Sequence, residues 1–239
     1  MKAVILCGGR GTRLKSLTDN RPKPMVTIMG KPFLEHLLLY IKSYKIDNIL
    51  LLVGYLGKQI EDYFGDGSTF GLHIEYAYDE NLLGTGGALK NAEEKINQDF
   101  LLINGDTYLP IDYQVFQDYA ISKNAIGTLT VFSSKNNMLP YNISVGKNHY
   151  ILSYNKKDPS KMTHVDGGLI YFKKDVLSFI PPYQICSLEE EIFPQLIKIN
   201  QLVSFPIDQQ FYDMGTSKGL KELQDVLEIK NEGKVYSSQ

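Results

Sequence analysis

The chain has 239 residues, enough for one large α/β domain with a sizeable core. It is 43% apolar and 22% charged, and 25 basic against 27 acidic residues give a formal net charge of −2. This balance argues against a dedicated binder of nucleic acid or anionic membranes, and the two distant cysteines form neither a disulfide framework nor a thiol zinc site.

The first half of the chain alternates apolar strand patterns with helical ones. Strands are predicted at residues 3–6, 48–53, 73–78, 100–103 and 127–132, and helices at 33–44, 57–64, 84–96 and 113–123. Pro22 and Pro24 argue against a helix before residue 33. This alternation predicts a mostly parallel sheet with helices on both faces and ligand sites beyond the carboxyl ends of its strands.

The second half is richer in β-structure and less regular. Strands are predicted at 142–145, 150–154 and 165–172, and helices at 188–199 and 218–229. Without a linker or repeat, residues 1–232 are expected to form one domain, with halves at 1–132 and 133–232 on either side of a cleft. Residues 233–239 are expected to be a frayed tail. No apolar stretch has the length of a membrane span, so a cytoplasmic location is expected.

A glycine-rich loop follows the first strand. It carries three glycines and two arginines, namely Gly8, Gly9, Gly11, Arg10 and Arg13. Glycine backbone can approach a ligand closely and direct N–H groups at phosphate oxygens, and arginine matches phosphate geometry. A dinucleotide-binding turn would have glycine where Leu14 stands, and no Walker A sequence is present. The loop therefore favours a triphosphate, with a plain turn and solvated arginines as the alternative.

Two further segments suit a phosphorylated ligand. Lys23 lies between two prolines that keep it out of a helix, so its ammonium can be aimed from a stiff loop; an exposed lysine is the alternative. The Gly-rich segment 84–87 opens a helix, where a base or sugar can pack against the backbone and N–H groups favour anions. For this segment an ordinary βα loop is the alternative.

Two aspartates are candidates for a magnesium site. Asp106 follows an apolar strand, and Asp213 lies in a short segment near the end of the chain. Magnesium often takes one or two carboxylates and leaves its other positions to phosphates and water. For each aspartate, a cap of a turn or helix is the alternative. The acidic run at 189–191 is expected to be the solvated start of a helix.

Taken in order, these segments resemble the sugar-phosphate nucleotidylyltransferase family, over residues 2–227. The resemblance rests on residues 8–14, 22–24, 83–87, 105–107 and 213–216. It implies a Rossmann-like α/β fold of the nucleotide-diphospho-sugar transferase type, with a more irregular β-rich C-terminal part. It also implies transfer of a nucleoside monophosphate from a nucleoside triphosphate to a sugar 1-phosphate, with release of pyrophosphate and Mg²⁺ as cofactor.

The resemblance assigns a role to each matching position. Nucleotide binding is assigned to Leu6, Gly8, Gly9, Gly11, Thr12, Arg13, Gly84, Thr85, Gly86 and Gly105. Sugar-phosphate binding is assigned to Gly87, Lys156, Asp166 and Gly168. Catalytic neutralisation of the reacting phosphates falls to Arg13 and Lys23, and magnesium binding to Asp106 and Asp213.

The identity of the substrates stays open at this stage. The resemblance favours GTP and D-glycero-α-D-manno-heptose 1-phosphate, with mannose, N-acetylmuramate or glucose 1-phosphate and UTP, CTP or dTTP as alternatives. Relatives often have Glu-Lys-Pro at 155–157 and Asn-Ala-Gly at 166–168, where this chain has Asn-Lys-Lys and Asp-Gly-Gly. Both departures affect the expected sugar pocket. A phosphocholine or molybdenum-cofactor transferase and a nucleotide-binding sensor without turnover also stay open.

Overall fold

The computed structural model describes residues 1–9, 18–79, 81–133 and 140–236. Strands β1 to β13 are Lys2–Leu6, Thr27–Ile28, Lys31–Pro32, Asn48–Val53, His73–Tyr78, Phe100–Asn104, Thr107–Tyr108, Gly127–Phe132, Ile143–Val145, Ile151–Tyr154, Val165–Phe172, Leu202–Ile207 and Tyr212–Asp213. Helices α1 to α6 are Phe33–Lys42, Gly57–Phe64, Gly84–Asn91, Tyr113–Lys123, Phe193–Lys198 and Ser217–Tyr236. The alternation predicted for the first half is confirmed.

Seven strands form the central sheet in the order β12-β8-β11-β6-β1-β4-β5. Strand β1 pairs in parallel with β4 and β6, β4 pairs in parallel with β5, and β12 pairs in parallel with β8. Strand β11 runs antiparallel between β6 and β8. Most pairings are thus parallel, which confirms the predicted fold class. The C-terminal part adds small antiparallel pairs, β9 with β10 and β13 with β7.

Helices cover both faces of the sheet because its strands bury side chains on both sides. Ala3 and Ile5 of β1 belong to one apolar core together with Phe33 of α1. Val4, between them, belongs to a second core with Leu89 of α3. This two-sided burial is why the central strands are continuous apolar runs in the sequence.

Strand β12 was not predicted from the sequence. Pro206 interrupts its apolar pattern, and proline has no N–H for a strand ladder. The strand is nevertheless stable because it lies at the edge of the sheet and pairs there with β8. A proline is tolerated at an edge, where one side of the strand needs no partner.

Three helical predictions need correction. The helix predicted at 84–96 ends at Asn91 and is followed by a 3-10 turn at Glu93–Lys95. The one predicted at 188–199 begins as a π turn, Leu188–Ile192, and α5 starts only at Phe193, where Pro194 fits the first helical turn. The two prolines around Lys23 do not exclude helical backbone, because Lys23–Met25 forms a 3-10 turn with Pro24 in its first positions.

The last helix, α6, continues to Tyr236, past the predicted start of fraying at residue 233. Its sequence is rich in Leu, Lys and Glu, which favour helix, and only Gly233 opposes it near the end. Within the described ranges, no helix is both long enough and apolar enough to cross a lipid bilayer.

Candidate active site

Two cavities lie side by side at the carboxyl ends of β1 and β6. The first has a volume of about 350 Å³, and its lining includes Leu6, Gly8, Gly9, Gly84, Thr85 and Gly105. The second has a volume of about 450 Å³, and its lining includes Thr107, Asn142, Tyr154, Lys156, Asp166 and Asp213. Asn104 and Asp106 border both cavities. A ligand in one cavity therefore lies next to a ligand in the other.

The pairing of β1 with β6 brings the glycine loop and Asp106 together. Leu6 is in register with Asn104, so both strands end at the same level. The N–H of Gly105 donates to the carbonyl of Leu6 at 3.0 Å, which extends the contact beyond the strands. The placement predicted for Asp106, at the strand edge beside the glycine loop, follows from this register.

Gly105 lacks room for a side chain, and we expect Gly105→Ala to destabilise the fold by about 1–3 kcal/mol. An added Cβ would lie 2.5 Å from the carbonyl oxygen of Leu6 and 2.9 Å from Sγ of Cys7. Urea unfolding measures the effect. Gly9→Ala is the control, because its added Cβ meets no atom of the described residues within 4 Å. A loss no larger than in the control would contradict this role of Gly105.

A buried lysine and two carboxylates form the centre of the site. The side chain of Lys23 is only 8% exposed; its Nζ donates to Oδ2 of Asp106 and lies 3.6 Å from Oδ1 of Asp213. The two-residue strands β7 and β13 create this cluster, because Thr107 pairs with Asp213 and the N–H of Met214 donates to the carbonyl of Asp106. Residues from three distant segments thus meet where the cavities join.

The two carboxylates suit a magnesium ion that arrives with a triphosphate. Their side chains are 33% and 31% exposed, so neither is fully buried beside Lys23. Asp213 also accepts the N–H of Gly215, a turn-capping role that the sequence left open. Among the described residues, no group of three or more His, Cys, Asp and Glu could hold a metal by itself. A Mg²⁺ ion bound together with a triphosphate would not need one, because phosphates and water could complete its coordination.

The glycines that open α3 pack closely against the backbone of Cys186. The N–H groups of Gly86 and Gly87 both donate to the carbonyl of Cys186. The assignment of these glycines to ligand binding stays a prediction. An added Cβ on Gly84 or Gly86 would lie 2.7 or 3.1 Å from the same oxygen. Gly84 and Thr85 border the first cavity, whereas Gly87 is buried against Leu83 and Gln184.

Two of the four residues predicted to bind the sugar phosphate lie at the second cavity. Lys156 and Asp166 line it, and Asp166 accepts hydrogen bonds from the hydroxyl of Tyr154 at 3.0 Å and the N–H of Gly168 at 2.8 Å. Burial raises the pKa of the Asp166 carboxyl, although Gly168, Lys156 and Tyr154 oppose the shift. Gly168 adopts a φ of +78°, which favours glycine at this position.

Gly11, Thr12 and Arg13, together with Arg10, lie outside the described residues. Their assignment to the triphosphate stays a prediction. Gly8 and Gly9, which precede them, border the first cavity as expected for a phosphate loop.

Comparison with known proteins decides the family. The sequence model described as nucleotidyl transferase matches residues 2–229. The chain belongs to the nucleotidyl transferase family. It is 34% identical to mannose-1-phosphate guanylyltransferase of Mycobacterium tuberculosis, over 90% of this chain and 61% of that protein. It is 32% identical to D-glycero-alpha-D-manno-heptose 1-phosphate guanylyltransferase of Campylobacter jejuni, over 90% of this chain and 95% of that protein.

Solved structures agree with this assignment. The crystal structure of HddC from Yersinia pseudotuberculosis complexed with GMP-PN superposes with a TM-score of 0.82 at 26% identity, and the match covers 95% of this chain and 99% of that chain. The enzyme class predicted from the sequence, a sugar 1-phosphate nucleotidyltransferase, is confirmed.

Two residues of this nucleotidyl transferase that border or connect the cavities are not among those predicted from the sequence. Asp79 follows β5 and borders the first cavity, and its position after a strand is the same signal that identified Asp106. Glu189 was expected on a solvated helix start. Instead its side chain is 21% exposed, accepts the hydroxyl of Thr85 and pairs with Lys156. No sequence signal pointed to Glu189, because these contacts join distant segments.

Proposed function

We propose that this enzyme transfers GMP from GTP to D-glycero-α-D-manno-heptose 1-phosphate and releases pyrophosphate. The reaction would take place in the cytoplasm, and its product, GDP-heptose, would be used for the synthesis of surface glycans. The observation that carries the proposal is the pair of adjoining cavities with Lys23, Asp106 and Asp213 at their junction. GTP would occupy the first cavity and the sugar 1-phosphate the second. The α-phosphate of GTP and the phosphate of the sugar would then meet beside Lys23.

The chemistry needs positioning and charge neutralisation more than proton transfer. A phosphate oxygen of the sugar 1-phosphate attacks the α-phosphorus, a new P–O bond forms, and the bond to the β-phosphate oxygen breaks. A phosphate monoester has a second pKa of about 6, so the nucleophile is mostly dianionic at neutral pH and requires no general base. Lys23 would offset the repulsion between the two phosphate groups. Mg²⁺ held by Asp106 and Asp213 would supply further neutralisation of the triphosphate.

Asp79 supports guanine as the base. Asp79 borders the first cavity, and its carboxylate accepts the N–H groups of Asn81 and Leu83, which fix its orientation. Guanine carries two adjacent N–H donors on its Watson–Crick edge, and a carboxylate is an acceptor for both. The two relatives named above are guanylyltransferases, and the solved relative is complexed with GMP-PN.

The choice of heptose rests on the relatives of similar length. The chain covers 95% of the Campylobacter jejuni heptose enzyme and 99% of one from Aneurinibacillus thermoaerophilus, to which it is 31% identical. It covers only 61% of the mycobacterial mannose enzyme. Mannose 1-phosphate, which shares the pyranose ring of the heptose, is the second candidate acceptor. The assembly of the buried lysine with both aspartates argues against a nucleotide sensor without turnover.

The test is pyrophosphate release with Mg²⁺ across GTP, UTP, CTP and dTTP, each paired with the phosphates of heptose, mannose, N-acetylmuramate and glucose. We expect the highest kcat/KM for GTP with the heptose phosphate. A higher kcat/KM for GTP with mannose 1-phosphate would make mannose 1-phosphate the acceptor and leave GTP as the proposed donor. Nucleotide binding without turnover on any acceptor would contradict the proposed reaction.

Asp79→Asn is expected to lower the preference for GTP over UTP by roughly 10- to 100-fold in kcat/KM. The amide keeps one acceptor oxygen and replaces the other with a donor that faces a guanine N–H. The measured quantity is the ratio of kcat/KM for GTP to kcat/KM for UTP. Loss of the hydrogen bond from the N–H of Leu83 should change both values equally and so leave the ratio unaffected. Asp66→Asn is the control, since Asp66 holds the N–H of Ser68 in a similar turn. An unchanged GTP-to-UTP ratio in Asp79→Asn would remove this support for guanine.

A further inference from the structure

Lys156 is held in place by an acidic partner. Its side chain is 58% exposed, yet its Nζ lies 3.3 Å from Oε1 of Glu189 and 5.6 Å from the ring centroid of Tyr154. A lysine on a flexible stem loses considerable side-chain entropy when a ligand immobilises it. A partner that restrains Lys156 beforehand reduces that loss.

Glu189 is itself fixed by its surroundings. Its Oε2 accepts the hydroxyl of Thr85 at 2.7 Å and the hydroxyl of Ser187 at 3.0 Å. The Thr85 hydroxyl in turn accepts a hydrogen bond from the N–H of Leu188 at 2.9 Å. The hydroxyl therefore donates one hydrogen bond and accepts another, which fixes its orientation. Burial opposes ionisation of Glu189, but Lys156 and these hydrogen bonds hold the pKa of its carboxyl below the usual range. Glu189 is therefore a stable anion at neutral pH.

The neighbouring ion pair provides a contrast. Nζ of Lys157 lies 2.9 Å from Oε1 of Glu190, but these side chains are 82% and 65% exposed. Exposed pairs of this kind contribute little and restrain little. The pair of Lys156 with Glu189 differs because it borders the second cavity at Lys156 and connects to the first at Thr85.

We infer that Glu189 is a positioning residue, which holds the ammonium of Lys156 at the second cavity for the phosphate of the acceptor and links it to Thr85 at the first. The inference rests on the role proposed for Lys156 in binding the sugar phosphate. An ammonium has three donors, so Lys156 can keep its contact with Glu189 and still donate to a phosphate. Glu189 does not touch the substrate and acts through Lys156.

Glu189→Gln is expected to raise the KM for the sugar 1-phosphate roughly 3- to 10-fold, the cost of ordering one free lysine side chain. The KM for the nucleoside triphosphate and kcat are expected to stay within about two-fold. The glutamine keeps an acceptor oxygen for Thr85, so the fold should be preserved. Glu190→Gln is the matched control, and its acceptor KM should equal that of the wild type.

A double-mutant cycle separates positioning from general stability. Steady-state kinetics are measured for Glu189→Gln, Lys156→Gln and the double variant, with whichever acceptor the wild-type enzyme uses best. This choice makes the test independent of the heptose proposal, and use of the nucleoside triphosphate that the wild-type enzyme prefers makes it independent of the guanosine proposal. If Glu189 acts through Lys156, Glu189→Gln has no further effect on the acceptor KM once Lys156 is replaced.

Three outcomes of the Glu189→Gln substitution would overturn the inference. The first is an unchanged acceptor KM in Glu189→Gln; the second is an equal effect with and without Lys156; the third is an equal rise in the KM of both substrates. If Lys156→Gln itself leaves the acceptor KM unchanged, the role proposed for Lys156 fails first and the inference falls with it. Thr85→Val, which removes one bond that fixes Glu189, is a second variant, and its acceptor KM is also expected to rise.

Discussion

Lys23→Met is expected to lower kcat by at least about 100-fold, because it removes the cation at the junction of the two cavities. Methionine preserves the length of the buried side chain but leaves Asp106 and Asp213 facing each other without neutralisation. In the proposed reaction two anionic substrates approach within bonding distance at this point, and the buried ammonium would offset their repulsion. Steady-state pyrophosphate release measures the loss.

The control for Lys23 is a lysine of the same segment. Lys31 forms an i,i+4 ion pair with Glu35, its side chain is 52% exposed and it lines neither cavity, so Lys31→Met should leave kcat within about two-fold. Thermal unfolding of both variants separates loss of charge from loss of fold. A folded Lys23→Met enzyme with more than one tenth of wild-type kcat would show that the ammonium is dispensable.

Much of the fold could be predicted because its strands and helices have strong local patterns. The strands Asn48–Val53 and Gly127–Phe132 and the helices Gly57–Phe64 and Tyr113–Lys123 were predicted with the observed bounds. Each is a clear apolar run or periodic segment bounded by turn residues. The edge strand β12 and the π turn at Leu188–Ile192 depend on tertiary contacts that override the local pattern, and periodicity could not indicate them.

The candidate site also has a part that the sequence could predict and a part that only the folded chain shows. Glycines and aspartates at strand ends could be predicted, because parallel strands bring their carboxyl ends to one edge. The convergence of Asp106 with Asp213 depends on β7 and β13, which have two residues each and are too short to give a pattern. The contact of Thr85 with Glu189 joins residues 104 positions apart. Only the folded chain shows that the acidic run is tied to both cavities.

Asp106→Asn and Asp213→Asn are each expected to lower kcat by about 100-fold or more, and to raise the Mg²⁺ concentration needed for half-maximal rate. Each asparagine keeps the shape of the side chain but removes the charge that a hard cation requires. Rates are measured over a Mg²⁺ titration at saturating substrates. Asp112→Asn is the control, because Asp112 caps α4 by accepting the N–H groups of Gln114 and Val115 and lines neither cavity.

The double variant of Asp106 and Asp213 distinguishes a shared magnesium from two separate roles. If both carboxylates hold one ion, replacing the second after the first costs little more, and the two effects are far from additive. Asp213 also caps the turn at Gly215, so a purely structural role would lower the free energy of unfolding of Asp213→Asn without changing its Mg²⁺ dependence. Fully additive losses in kcat with an unchanged Mg²⁺ requirement would contradict a shared magnesium ion and assign the two aspartates separate roles.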